Sequence, residues 1–214
     1  MDEQKKVEIK AEYLTAEELR VAASLLYNAY YDDLFFQQAF GRKDYGQKLR
    51  AAIREELTEL WQHQQRVVGF YVDGALLGVA CIIDHQYPQG ESRYWSWRIK
   101  MALGTGWAPT RHWIEREDEL KRLLPSNEYW LLQLIAIHPQ HQNTGLGSQF
   151  LTALLELQNR SESSGLAVFT YQPEHQQFFQ QHGFDFIADV EVADISGQLL
   201  YQPANREAEV RLAN

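Results

Sequence analysis

The first third of the chain changes from a strand pattern to helical patterns. Residues 7–13 alternate apolar and charged side chains, which is the period of a half-buried strand. A capping box at residues 15–18 (Thr-Ala-Glu-Glu) precedes apolar residues at helical spacing up to Tyr30. Residues 32–36 are typical of a helix exit whose aromatic side chains turn back to the core. A second helix is predicted over residues 45–63.

The middle of the chain predicts a hairpin, an insertion and a central strand. Two β-rich runs, 67–72 and 75–83, flank an Asp-Gly dipeptide that is typical of a type I′ turn. Residues 84–127 hold four of the six tryptophans, and we interpret them as an insertion of one or two helices between strands. Residues 129–137 are apolar with one polar interruption, which indicates a strand covered on both faces.

The last third of the chain alternates helices and strands. An amphipathic helix is predicted to reach about residue 160, and a strand follows over residues 166–170. A short helix is predicted over 173–182, with proline in its first turn and Gly183 after its end. Residues 184–202 are typical of a closing hairpin.

Length and composition indicate one globular domain. With 214 residues and a hydrophobic share of 45%, the chain can bury a core without disulfides or metals. We predict one domain over residues 1–202, with the insertion at about 84–127, and a polar tail over 203–214. No apolar run is long enough to span a membrane, and no signal peptide is recognisable. Cys81 is the only cysteine, which excludes an intrachain disulfide and fits a reducing cytoplasm.

The net charge argues against one class of partner. The chain carries 29 acidic and 20 basic side chains, for a net charge of −9. Nonspecific binding to nucleic acid requires a basic surface, so that role is disfavoured. The acidic balance is compatible with a cationic substrate, and solubility alone explains it equally well.

The most informative segment lies where the predicted central strand ends and the next helix begins. Residues 142–148 read Gln-Asn-Thr-Gly-Leu-Gly-Ser. The first turn of a helix has N–H groups without intrahelical partners, at the positive end of the helix dipole. Gly145 and Gly147 remove side chains that would hold a ligand away from those donors. The turn therefore suits a phosphate or pyrophosphate, with each charge contact contributing about 0.3–1 kcal/mol.

The common nucleotide-binding motifs are absent from this segment. Gly147 is followed by Ser-Gln rather than by Lys and a hydroxyl residue, as a P-loop requires. Phe150 stands where a dinucleotide fingerprint has its third glycine, and the Gly-Thr-Gly at 104–106 fails in the same way at Pro109. ATP and dinucleotides are therefore disfavoured as ligands.

Two motifs in order resemble those of the GCN5-related N-acetyltransferase (GNAT) superfamily. Residues 142–147 match its acetyl-CoA loop, Q/R-x-x-G-x-G/A, and follow a strand end at 135–139 similar to L-A-V-x-P. Residues 178–184, Phe-Phe-Gln-Gln-His-Gly-Phe, resemble its downstream motif of an aromatic-Tyr pair, three residues and Gly-Phe. The resemblance implies an α/β fold: a GNAT-like mixed, mostly antiparallel central sheet with helices on both faces. In such a sheet, the helical insertion predicted at about residues 84–127 would lie between the third and fourth strands.

The resemblance also implies an activity and a set of contacts. The chain would be an N-acetyltransferase, an acyltransferase for groups other than aminoacyl groups, moving acetyl from acetyl-CoA to a small-molecule or peptide amine. The amine would attack directly through a tetrahedral intermediate, with no metal. The strand backbone would pair with pantetheine if the strand at 166–170 splays away, and an N–H near Ile135 would stabilise the oxyanion. The implied acetyl-CoA-binding residues are Ile135, Ala136, Ile137, Gln142, Asn143, Thr144, Gly145, Leu146, Gly147 and Ser148.

The match departs from the family pattern at Phe179, where many members have a tyrosine that protonates the leaving sulfur. Three interpretations follow. The thiol, with a pKa of about 8.5, leaves unaided; Tyr171 or His175 substitutes for the tyrosine; or the chain is a catalytically weak acyl-CoA-binding or regulatory module. The general base is also open, because Gln133, on the central strand, cannot accept a proton. The candidate catalytic residues are Gln133, Tyr171 and His175, with Glu128, His138, Asp84, His85 or a water relay as further candidates for the base.

The acceptor side is the least specified by the sequence. The tryptophan-rich insertion either walls an acceptor pocket or simply packs on the sheet. Asp32 and Asp33 either attract a cationic acceptor or form a solvated helix end. The closing hairpin and the tail are compatible with a homodimer, and the predicted localisation is the cytoplasm. An unrelated α/β phosphate-binding protein is the remaining alternative.

Overall fold

The computed structural model describes residues 8–125, 127–192 and 195–205. Its strands form one mixed sheet in the order β1-β2-β3-β4-β5-β7-β6, in which β4 and β5 pair parallel and the other neighbours antiparallel. The predicted fold class is thereby confirmed. The strands are β1 (Ile9–Tyr13), β2 (Arg66–Val72), β3 (Ala75–Asp84), β4 (Tyr129–Ile137), β5 (Gly165–Thr170), β6 (Asp185–Val192) and β7 (Ile195–Pro203).

Helices cover both faces of the sheet. Apolar side chains of α1 to α5 form one core with one face, and those of α6 and α7 form a second core with the other. The helices α4 and α5 stand between β3 and β4, which confirms the predicted helical insertion. The helices are α1 (Leu19–Ala29), α2 (Leu34–Phe40), α3 (Tyr45–Gln62), α4 (Trp95–Thr105), α5 (Trp107–Leu123), α6 (Leu146–Asn159) and α7 (Pro173–Gln181).

The short helix α2 forms where the sequence predicted only a helix exit. The Asp33 side chain accepts a hydrogen bond from the Phe36 N–H at 3.2 Å and so caps its first turn. Phe35, Phe36 and Phe40 are buried along one side of this helix. The aromatic side chains do turn back to the core as predicted, and the cap turns their segment into a helix.

A buried ion cluster ties the insertion to α3. The Arg93 guanidinium contacts Glu56 at 2.6 Å and Glu117 at 3.0 Å, and all three side chains are fully buried. The indole N–H groups of Trp97 and Trp113 donate to Glu56 and Glu117, respectively. These two tryptophans therefore pack the insertion against the rest of the protein, whereas the other two of the segment are exposed.

Four smaller sequence predictions concern the turn at residues 73–74, the C-terminal tail, membrane-spanning segments and metal sites. Asp73 and Gly74 have φ of 48° and 80°, as a type I′ turn requires. Most of the predicted tail falls on residues 206–214, which lie outside the described residues. Among the helices that the structure describes, none is long and apolar enough to cross a membrane. In the same residues, no group of His, Cys, Asp and Glu side chains is arranged to hold a metal ion.

Candidate active site

A gap opens between β4 and β5 in the middle of the sheet. The two strands pair from Tyr129 with Gly165 to Leu132 with Val168, and in the described chain their pairing ends there. Both strands continue, β4 as far as Ile137. At the same point the pairing of β4 with β3 shifts register, which leaves Gln133 as an extra residue in β4. Such a bulge bends and twists a strand, so the bulge accounts for the separation from β5.

Backbone N–H and C=O groups alternate in direction along β4, and this determines which of them face the gap. The His138 N–H donates to the Leu77 carbonyl of the β3 side at 2.7 Å. Because backbone groups alternate in direction along an antiparallel strand, those of Ala136 also point to β3. The backbone groups of Ile135 and Ile137 point to the opposite side. A ligand in the gap can therefore pair with Ile135 and Ile137, whereas Ala136 offers it only a side chain.

The glycine loop ends in an uncapped helix. Asn143 and Gly145 have left-handed backbones, with φ of 60° and 84°, and α6 begins directly afterwards. Gly145 stands at the N-cap without a capping side chain, and a Cβ there would meet no atom within 4 Å. Among residues 8–125, 127–192 and 195–205, no side chain accepts a hydrogen bond from the amides of residues 143–148. These amides are available to an anion.

Neighbouring side chains hold the loop in place. The Gln142 amide donates to the Ile137 carbonyl at 3.0 Å, and the Thr144 hydroxyl donates to the His141 carbonyl at 2.7 Å. The Phe178 ring lies 3.7 Å from the position of a Cβ on Gly147. The two sequence motifs, far apart in the chain, are therefore in contact at the start of α6.

One candidate catalytic residue contacts Asp33, near the exit of α1, and the charge of Asp33 acts on a second, His175, which is exposed on α7. The Tyr171 hydroxyl, just beyond β5, donates to the Asp33 carboxylate. Burial raises the pKa of Asp33, which its hydrogen bonds with Tyr171 and the Phe36 amide oppose. Burial and the Asp33 charge both raise the pKa of Tyr171, so its hydroxyl keeps its proton at neutral pH. Burial also lowers the pKa of His175, an effect that the charge of Asp33 opposes.

The Gln133 amide is engaged with α5. Its Oε1 accepts from Arg116 at 2.8 Å, and its Nε2 donates to Glu117 at 3.0 Å. The side chain therefore joins the bulge in β4 to the buried ion cluster of the insertion. Arg116 itself lies over the rings of Phe35 and Trp113, at 5.0 and 4.8 Å from their centroids.

Of the four other candidate bases, three lie at the opposite end of β4 from Ile135, and the fourth, His138, follows β4 in the loop. Asp84 is paired with Trp130 across the sheet and with Arg66 at 2.9 Å, towards the other end of β4. Its neighbour His85 and Glu128, just before β4, lie at the same end. The His138 side chain accepts from the Gln140 N–H in the loop. None of these four is in the group around Asp33.

Phe179 is a core residue. It is 4% exposed and packs edge-on against Phe178 and Phe184, with ring centroids 5.3 and 5.2 Å away. The position where the family pattern has a tyrosine thus offers no hydroxyl here, and its side chain lies in the core between the sheet, α6 and α7.

Tyr30 is a site residue that sequence reasoning missed. Its hydroxyl lies 3.0 Å from both the nitrogen and the oxygen of Ile135, accepting from the N–H and donating to the carbonyl. The sequence showed Tyr30 only as an apolar position of α1. No local signal links it to a strand 105 residues away.

Comparisons with known proteins match part of the sequence and most of the fold. Residues 109–185, which include both motifs, match the family model of the acetyltransferase (GNAT) domain. Similarity of fold to solved acetyltransferase structures extends over most of the chain. Residues 109–185 thus match the GNAT family, and the chain as described has a GNAT-like fold. No curated protein matches the sequence.

Solved GNAT structures share the fold at low sequence identity. An acetyltransferase related to histone acetyltransferase HPA2 from Corynebacterium glutamicum is 16% identical, with a TM-score of 0.70 over 92% of this chain and 97% of its own. The polyamine N-acetyltransferase of Drosophila melanogaster is 14% identical, with a TM-score of 0.67 over 92% and 100%. A mosquito arylalkylamine N-acetyltransferase-like protein is 13% identical, with a TM-score of 0.65 over 92% and 100%.

Proposed function

We propose that this GNAT-like chain is an acetyl-CoA-dependent N-acetyltransferase acting on a small-molecule or peptide amine. The observation that carries the proposal is the gap beside β4, which leads to the uncapped N-terminus of α6. Pantetheine would lie in the gap as an added strand against Ile135 and Ile137. The amides of residues 143–148 would bind the pyrophosphate, aided by the positive end of the α6 dipole.

The proposed reaction is a direct transfer. The neutral amine nitrogen attacks the thioester carbon, a C–N bond forms, and the carbonyl π electrons move to oxygen. The Ile135 N–H stabilises this oxyanion. The intermediate collapses as the C–S bond breaks, sulfur leaves as thiolate, and the amine gives up a proton to a base. With a thiol pKa of about 8.5, the thiolate is a tolerable leaving group and takes its proton from solvent.

His175 is our proposed base and Asp33 the proposed anchor for a cationic amine. The lowered pKa of His175 keeps its imidazole neutral at pH 7, the form that accepts a proton. The Asp33 carboxylate, which accepts a hydrogen bond from the Tyr171 hydroxyl, offers a negative charge to a protonated amine. Amine acceptors also occur among GNAT proteins of similar fold, one of which forms N-acetylagmatine.

The burial of Phe179 supports a second candidate function. Without a hydroxyl at this position, the chain would bind acetyl-CoA with little turnover and act as an acyl-CoA-binding or regulatory module. The two candidates share the same cofactor site and differ only in catalysis.

One experiment separates these candidates. The chain is incubated with acetyl-CoA and a panel of amines and peptides, free thiol is measured, and calorimetry measures CoA and ATP binding. Amine-dependent thiol release supports the transferase. Tight CoA binding without release supports the binding module, and binding of ATP but not CoA contradicts both.

Replacing His175 with glutamine is expected to change the pH profile of turnover. Folding lowers the pKa of His175 below the ordinary histidine value of about 6.5. Wild-type kcat/KM should therefore be steady near pH 7 and fall only as the pH drops below about 6.5. His175→Gln should lower kcat/KM by roughly 10²-fold at pH 7 and remove this acidic fall. The matched control is His182→Gln, at the C-cap of the same helix, whose ring contacts the Phe178 carbonyl. If both variants keep the wild-type profile, His175 is not the base.

A further inference from the structure

The Tyr30 hydroxyl lies where the proposed reaction would place the carbonyl oxygen of the thioester. It lies in hydrogen-bond contact with both backbone groups of Ile135, at 3.0 Å each, on the side of β4 that lacks a strand. A thioester carbonyl bound to the Ile135 N–H would place its oxygen at or next to this hydroxyl. Acetyl-CoA therefore cannot bind in the proposed way without displacing the hydroxyl from the N–H.

The residues around Tyr30 favour a small shift of its hydroxyl over displacement of the whole side chain from the site. The residue closes α1, and its ring packs edge-on against Phe36 of α2 at a centroid distance of 5.7 Å. A hydroxyl that leaves the N–H by about the length of one hydrogen bond stays within reach of an oxygen bound at that N–H. Burial, together with nearby Asp33 and Cys81, raises the pKa of Tyr30, so the group remains a proton donor.

We propose that Tyr30 is the second donor of the oxyanion hole, paired with the Ile135 N–H. The inference rests on the proposed transferase function. In the free chain the hydroxyl forms hydrogen bonds with the N–H and carbonyl of Ile135 at the open edge of β4. With acetyl-CoA bound, it donates to the thioester oxygen, and it holds that oxygen more strongly as the C–N bond forms and negative charge develops there.

The role assigned to Tyr30 leaves the balance of the reaction unchanged. The hydroxyl keeps its proton and only donates a hydrogen bond to the oxyanion. The amine proton still goes to the base, and the electrons of the C–S bond still leave with sulfur. The phenol thus adds one hydrogen-bond donor to the oxyanion hole, a contribution of roughly 10²–10³-fold in kcat.

The test compares Tyr30→Phe, which keeps the ring and its packing on Phe36, with the control Tyr31→Phe on the adjacent, 44% exposed tyrosine. Turnover is one readout. Affinity for acetyl-CoA against S-ethyl-CoA, which lacks the carbonyl oxygen, is the other and needs no turnover. We expect Tyr30→Phe to lower kcat by roughly 10²-fold, and to reduce the preference for acetyl-CoA over S-ethyl-CoA by about 3- to 10-fold. CoA itself should bind as tightly as to the wild type or more tightly.

The outcomes separate this inference from the proposed function. Wild-type kcat and an unchanged thioester preference in Tyr30→Phe would overturn the inference and leave the transferase intact. Weaker binding of all three CoA compounds by the same factor would also overturn it, because it would make Tyr30 a structural support of the strand. A wild-type chain that binds no CoA compound would refute the proposed function itself.

Discussion

CoA binding is expected to be lost when Gly145 is replaced with glutamate. The residue stands at the N-cap of α6 with open space around it, where the pyrophosphate would lie. A carboxylate about 4 Å from a phosphate charge costs about 4 kcal/mol at an effective dielectric constant of 20. That cost corresponds to a rise in Kd of roughly 10³-fold. Calorimetric titration with CoA measures the loss.

The matched control for this variant is Gly74→Glu in the β2–β3 turn. Gly74 has nearly the same backbone, with φ of 80° against 84°, and equally open space. Both substitutions add one negative charge and the same left-handed strain of about 1–2 kcal/mol. Gly74→Glu should bind CoA like the wild type. Equal affinities in the two variants would mean that the start of α6 does not bind the pyrophosphate.

The second large effect is expected from Glu56→Ala in the buried ion cluster. Glu56 lies fully buried between Arg93 and the indole of Trp97, with contacts of 2.6 and 2.9 Å. Removing Glu56 takes away one of the two buried carboxylates that compensate Arg93, together with the acceptor of the Trp97 indole, which costs about 3–5 kcal/mol. The free energy of unfolding should fall by this amount in a urea titration, because Arg93 keeps only Glu117 as a charged partner.

Glu55→Ala provides the control at the neighbouring position of α3. Glu55 pairs with Arg54 at 3.0 Å near the surface, and the Arg54 and Glu55 side chains are 66% and 17% exposed. Such pairs contribute about 0–1 kcal/mol, so the loss should be small. A loss for Glu56→Ala no larger than that for Glu55→Ala would contradict the view that this cluster holds the insertion to α3.

The local parts of the site could be predicted from the sequence. Gly145 and Gly147 indicate the conformation of their own backbone, without any distant partner. The apolar strand before them places the loop at a strand end. The type I′ turn at residues 73–74 was readable for the same reason, since two adjacent residues determine it. Helix α2 was missed because its cap, Asp33, resembles a solvated helix end when its contact with Phe36 is unknown.

The parts of the site that depend on distant partners could not be predicted. Glu56 looks like a surface charge on an amphipathic helix, and its burial follows only from Arg93, which lies 37 residues away in the insertion. Tyr30 reads as an apolar helix position, and its contact with Ile135 depends on the gap beside β4. That gap follows from a bulge at Gln133, and no residue type in this part of β4 predicts a bulge.

An NMR titration of the ¹⁵N-labelled chain with CoA tests the central claim most directly. We predict that the amides of Ile135, Ile137 and residues 143–148 shift on binding, and that ATP leaves Ile135 and Ile137 unchanged. Saturating CoA that leaves these amides unmoved, or that shifts only residues around the separate surface cavity lined by Tyr13, Trp61 and Arg66, would contradict the account.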